Sequence, residues 1–153
     1  MTKTIHLTGT EIARAIIVIE KSKVKLTGLD LATALVKNKR ILQAELDVPQ
    51  RASESEILKT YHSQVQQALA EAGGSMSTDG SLHFKDTDGM KRFLKEQETL
   101  LTSDVKAEQK RIQEISAAWE KKEFDLELHT VKQEDLPSDI SVEVYEALLP
   151  FIE

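Results

Sequence analysis

The sequence predicts a mostly helical α+β chain: long antiparallel helices leading to a hairpin tip, and a small head in which the N- and C-terminal strands pair. Three observations carry that expectation. Apolar residues recur at helical spacing through two long stretches, residues 29–72 and 86–122. Segments near the two ends, residues 3–7 and 124–131, alternate apolar and polar as half-buried strands do. Between the helical stretches lies Asp79-Gly80, a dipeptide suited to a two-residue type I′ turn, whose two central positions need positive φ.

Ile5 and Leu7 mark a first strand. Thr8-Gly-Thr-Glu11 then reads as a capping box, with the Thr8 hydroxyl accepting a backbone N–H and the Glu11 carboxylate reaching back. Ile12, Ala15, Ile16 and Ile19 continue at helical spacing, although the β-branched run Ile16–Ile19 also fits a buried strand. Residues 22–28 form a basic connection. A second helix begins near Leu29, with Leu31, Leu35, Leu42 and Leu46 along one edge. Pro49 removes a hydrogen bond and crowds the carbonyl of Glu45, so the helix either kinks there or a new one starts at Ser53, where Ser-Glu-Ser-Glu56 offers a second capping box. Ile57, Tyr61, Val65, Leu69 and Ala72 share the next face, which Gly73-Gly74 ends. Residues 75–84 form the tip hairpin.

A single long helix is expected from Asp86–Gly89 onward. Its seam, Leu94, Gln97, Leu101, Val105, Glu108, Ile112, Ile115 and Trp119, alternates steps of three and four in a heptad-like, coiled-coil manner. Phe124, Leu126 and Leu128 give the last strand its apolar face, and Ser141 caps a short helix closed by Pro150. The expected organisation is one domain spanning 1–153, in which residues 29–122 form the helical arm with its tip at 75–84, while 1–28 and 123–153 form the head.

Composition narrows the function classes. The chain has 153 residues, 30% of them charged and 5% aromatic, and no cysteine, which rules out disulfides and thiolate metal sites. The longest apolar run, residues 15–19, is far short of a membrane span, and residues 1–10 lack the apolar run of a signal peptide, so an intracellular, soluble protein is expected. Residues 1–44 hold eight Lys or Arg against three acids, while residues 123–153 hold nine acids against Lys132 alone. The basic third could face phosphates through Lys21, Lys23, Lys25, Lys37, Lys39 and Arg40, but the acidic end would compete for that surface if the termini meet. Nucleic acid is therefore not an expected partner.

No pattern of catalytic or metal-binding residues emerges. His6, His62, His83 and His129 fall in four different elements without ligand spacing, although His6 and His129 could become neighbours on paired strands. Asp79, His83, Asp86 and Asp88 gather near the tip, but a calcium loop read through Asp86 and Asp88 would place Lys95 where a bidentate Glu is required. There is no Gly-rich phosphate loop, nucleophile elbow or His-Glu motif. The expectation is no enzyme, no cofactor and no metal. The candidate binding residues are Leu94, Leu101, Val105, Ile112 and Ile115, an apolar stripe that one antiparallel neighbour interrupted by Pro49 would not cover, so a homo-oligomer is expected.

Three segments carry a family resemblance: His6-Leu-Thr-Gly-Thr-Glu-Ile12, Ala34-Leu-Val-Lys-Asn-Lys-Arg-Ile-Leu42, and the ending from Phe124-Asp-Leu-Glu-Leu128 to Leu148-Leu-Pro-Phe-Ile152. Together they resemble an uncharacterised family of small proteins from tailed bacteriophages and prophages. The resemblance implies a phage origin and a similar order of elements, and it implies no catalytic residue. The function expected from these readings is that of a non-enzymatic phage accessory protein in the host-cell cytoplasm, binding a phage or host protein through helical surface, with virion incorporation as another location. The alternatives are an anti-defence inhibitor that uses its acidic C-terminal surface, a helix-arm chaperone that holds unfolded clients at its tip, and a small enzyme with an unrecognised site.

Overall fold

The computed structural model describes residues 1–21 and 28–153; most of the basic connection read at 22–28 lies outside the described residues. The order is β1 (Thr2–Thr8), α1 (Gly9–Lys21), α2 (Leu29–Ala52), α3 (Glu56–Glu71), β2 (Gly74–Met76), β3 (Leu82–Phe84), α4 (Thr87–Leu100), α5 (Ser103–Lys121), β4 (Glu123–His129) and α6 (Val142–Leu148). Single 3₁₀ turns lie at Gln133–Asp135 and Leu149–Phe151. The protein is mostly helical, with two small antiparallel sheets among the described residues, β1–β4 and β2–β3.

The chain divides into two compact units, one of Met1–Ala52 with Ile115–Glu153 and one of Ser53–Glu114. This differs from a single domain with a head and a 29–122 arm. The reason is apolar: Leu31, Ala34, Leu35 and Leu42 of α2 bury into the same core as Ile5, Leu7, Ile12, Phe124, Leu128 and Phe151, so α2 belongs with the paired termini.

In this first unit β1 and β4 pair antiparallel in continuous register, with Ile5 opposite Leu126 and Leu7 opposite Phe124. The alternation that predicted the strands also fixes their faces, because a one-residue slip would turn Ile5, Leu7 and Leu128 to solvent. The Thr8 box forms as expected: Glu11 N–H donates to Thr8 Oγ1 at 3.3 Å, and Thr8 N–H to Glu11 Oε2 at 2.7 Å. Residues 16–19 are helical. Beyond β4 the chain turns back, so that Val131 pairs in parallel with Ile152: Val131 N–H donates to Phe151 O at 2.8 Å and Glu153 N–H to Val131 O at 3.0 Å.

Of two joints, the first differs from the expected one only in its capping residue and the second differs outright. α2 runs through Pro49 and ends at Ala52; with so few residues beyond it, the lost Glu45 bond falls in the last turn. α3 is capped by Ser55, whose Oγ accepts from Leu58 N–H at 3.3 Å, and not by Ser53. The expected single helix after Asp86 is two. Leu101 (φ −79°, ψ 72°) leaves the helical region, and Thr102 Oγ1 accepts from Val105 N–H at 3.3 Å, starting α5.

In the second unit Ala68, Ala72 and Phe93 form a small core with Val65, Leu69, Phe84 and Leu100 around it. α3 and α4 are antiparallel: the end of α3 meets the start of α4, where a Cβ on Gly89 would lie 2.3 Å from Ala72 O. The hairpin exists, but its turn is not type I′. Gly80 has φ +85°, and no non-glycine residue has positive φ among the described residues. Gly80 N–H donates to Ser77 O at 3.0 Å and Ser77 N–H to Ser81 O at 2.9 Å, the pattern of a type I turn followed by a glycine bulge. The Asp79 carboxylate accepts from the Ser77 hydroxyl and, at 2.9 Å, from Ser81 N–H, which holds its pKa down at about 2.

Candidate functional site

The five residues singled out as a binding stripe do not form one seam. Leu94 on α4 is 52% exposed, Val105 is buried, and Leu101, Ile112 and Ile115 do not share its burial. Ile115 belongs to the first unit and the other four to the second. A heptad seam needs uninterrupted helix, and the Leu101–Thr102 break turns the α5 positions out of line with those of α4. Threonine before Ser103-Asp104 was the available signal, since that composition favours a helix start.

The break instead shapes a groove within the second unit. Its walls are the first turns of α3 and the α4–α5 junction, and it encloses about 380 Å³. Tyr61, Leu100 and Val105 give it an apolar lining, and Ile57 stands at its edge, 46% exposed. Glu56, Thr60, Gln64, Thr102 and Asp104 form the polar rim. Helical spacing explains the first wall: residues 57, 61 and 64 of α3 fall on one side of the helix. Nearby, Arg111 grips Glu108 with two bonds, Nε to Oε1 at 2.8 Å and Nη2 to Oε2 at 3.1 Å. That guanidinium, and then the Ser55 hydroxyl, hold the Glu108 carboxyl below the usual carboxylate range. Because Ser55 is also the α3 cap, this network fixes the start of α3 against α5. Glu56 is partly compensated by Lys59 at 3.2 Å, whereas Asp104 lies in the first turn of α5, where the helix dipole favours an anion.

The histidines are dispersed. His129 stands opposite Thr2, so it is not the cross-strand neighbour of His6. His6 faces Asp125 instead, with Nδ1 at 2.8 Å from Oδ1, while its Nε2 lies 3.7 Å from Glu123 Oε1. His62 packs beside Tyr61, and His83 pairs with Ser75 on the hairpin. Among the described residues no group of three or more His, Asp or Glu side chains is placed to hold a metal ion, and no helix is long and apolar enough to cross a membrane.

The Asp125 hydrogen bond, and then its charge and that of Glu123, raise the His6 pKa. A raised pKa means that the folded state binds the proton more tightly than the unfolded one. The contribution is complete below the usual imidazole range and is lost as pH rises through the higher folded value. Between about pH 5 and 8 the wild-type denaturation midpoint is expected to lose a small increment that His6→Gln does not lose. A wild-type increment that grows with pH would contradict the assignment.

Sequence reasoning missed Asn38, a buried polar side chain. It lies at 0% exposure, and its amide brackets one backbone position of β4, with Nδ2 donating to His129 O at 2.8 Å and Oδ1 accepting from His129 N–H at 2.7 Å. The signal was present, because Asn38 stands at helical spacing within the buried row Leu31, Leu35 and Leu42. A polar groove of about 320 Å³ lies beside it, bounded by Asp30, Thr33, Thr130, Lys132 and Asp135. Compared with protein-family models, curated proteins and solved structures, the chain shows no match.

Proposed function

We propose that this protein acts by binding another protein, and not by catalysis, and that the partner seats an apolar side chain in the groove between α3 and the α4–α5 junction. The observation that carries this reading is the open apolar lining of Ile57, Tyr61, Leu100 and Val105 on helices already fixed by the Ser55–Glu108–Arg111 network. A site built on rigid helices loses little freedom on binding. The rim acids Glu56 and Asp104 favour a basic flank on the incoming segment, in the manner of an amphipathic helix laid into a groove. The resemblance of three segments to tailed-phage proteins supports the further reading of a phage accessory protein at work in the host cytoplasm.

A second reading rests on β4, where Glu123, Asp125 and Glu127 alternate onto one exposed strand face. That face suits an inhibitor occupying a basic groove on a host defence protein. A photo-crosslinking residue placed at Ile57, or in a second protein at Glu127, separates the two in expressing cells. The groove reading expects one discrete adduct from position 57 that disappears when Val105→Lys is added. Adducts from position 127 alone would transfer the function to the acidic face, and an unchanged adduct in the Val105→Lys protein would remove the groove.

A further inference from the structure

We propose that β1 is the pairing edge of a two-fold dimer, in which the β1 strands of two copies lie antiparallel and join two β1–β4 sheets into one of four strands. The argument is an accounting of backbone groups. His129 turns both its N–H and its C=O to Asn38, away from β1, while Thr130 N–H turns to Met1 O at 2.9 Å. In an antiparallel ladder such positions alternate. Lys3, Ile5 and Leu7 therefore exchange bonds with β4, and Thr2, Thr4 and His6 turn theirs outward. Thr8 N–H is taken by Glu11. Among the described residues, nothing bonds the outward groups of Thr2, Thr4 and His6.

The far side of the sheet differs at its end. There the Asn38 amide closes β4 at His129, and residues 151–153 close it at Val131. Among the described residues the outward groups of Glu123, Asp125 and Glu127 are also unbonded. The β4 edge, however, is blocked at its end by these two devices, and pairing it with its own copy would set acid against acid, whereas β1 has neither a block nor facing like charges. An open edge is a template for another strand, and proteins that keep one solitary blunt it with proline, a bulge or a projecting charge. β1 has no proline, and its register with β4 is unbroken from Thr2 to Thr8. Its one formal charge, Lys3, bends to the protomer's own Ile152 carbonyl, at 3.1 Å from Nζ.

The occupant that fits is a second copy. Centring the two-fold on Thr4 sets Thr4 against Thr4 of the other copy, and Thr2 against its His6. Every outward group is then used, with each of these pairs exchanging two backbone bonds. Threonine pairs are favourable cross-strand neighbours, and no like charges stand directly opposite. The acids of β4 fall on the two outermost strands of the joined sheet, where the two rows are farthest apart. A two-fold contact also closes on itself and leaves no edge of β1 free.

The test is sedimentation velocity across micromolar concentrations, with amide exchange read on the same samples. Wild type is expected to be a dimer whose Thr2, Thr4 and His6 amides exchange about tenfold or more slowly than in the monomer. Thr4→Pro removes an N–H that serves no bond within the protomer, at an edge position where proline is tolerated, so the variant should be a folded monomer with circular dichroism unchanged. Thr4→Lys provides a second route if Thr4→Pro does not fold. It sets like charges opposite each other on the axis, and its dimer should weaken and recover with salt. Wild type that stays monomeric, including one that accepts a foreign strand on β1, would overturn the proposal. So would a Thr4→Pro or Thr4→Lys protein that dimerises as wild type does.

Discussion

Gly9→Val is expected to unfold the first unit, and even Gly9→Ala to lower its stability. At the first position of α1 a Cβ would lie 2.0 Å from Trp119 O, 2.8 Å from Trp119 C and 2.9 Å from its ring. Two of those atoms are backbone, so no rotamer change relieves the overlap. The same contact carries the Gly9 N–H bond to Lys122 O at 3.0 Å and the Thr10 hydroxyl bond to Glu120 O at 3.2 Å, which hold the end of α5 against the start of α1. Gly9 does not have positive φ, so the demand is for space and not for an unusual conformation. In an ordinary exposed helix, alanine would gain about 1 kcal/mol over glycine. Here overpacking should cost about 1–3 kcal/mol for alanine and more for valine, reversing the sign. Urea midpoints at constant m-value measure this, and an alanine variant as stable as wild type would show that the approach is looser than described.

The second large effect is expected at Asn38. Asn38→Leu removes the amide and leaves the His129 N–H and C=O unpaired against the buried face of α2. At about 1–3 kcal/mol for each unsatisfied group, the loss should be roughly 2–6 kcal/mol. Asn38→Asp keeps an acceptor for His129 N–H and sets a carboxylate against His129 O, so it should fall between wild type and leucine and improve as the medium is acidified. The His129 amide, protected in wild type, should exchange rapidly in the leucine variant. A leucine variant of wild-type stability would mean that water or a shifted α2 satisfies β4 at no cost.

These two positions illustrate what the sequence could and could not disclose. Local chemistry was legible: the Thr8–Glu11 box, the Ser141 cap, which accepts from Val144 N–H at 3.3 Å, and the alternation of Phe124, Leu126 and Leu128 need only near neighbours to act. So was the pairing of the end strands, because each had one apolar face and no other strand of similar length was available. The register was not, and His6 consequently met Asp125 and not His129. The break at Thr102 was hidden because the apolar steps continue across it, and spacing alone does not distinguish one helix from two that abut. The groove was equally hidden: it is made by that break, and only Val105 of the five anticipated residues lines it. Gly9 looked like a spacer inside a capping box, since the carbonyl it faces lies far along the chain.

The split of the first unit has a consequence for the order in which the molecule assembles. β1 and β4 meet through residues such as His6 and Asp125, 119 positions apart, whereas residues 53–114 form a compact unit from one continuous stretch. Closing the longer loop carries the larger entropic cost and must precede any reward from the sheet. On an emerging chain, which is made at about 5–20 residues per second, the α3–hairpin–α4 region can condense while β1 still waits for its mate. During that interval Ile5 and Leu7 have no sheet to enter, and β1 is bare on both sides. The step most exposed to mispairing is therefore the last one, and crowding of nascent chains should harm yield more than heating the finished protein would suggest.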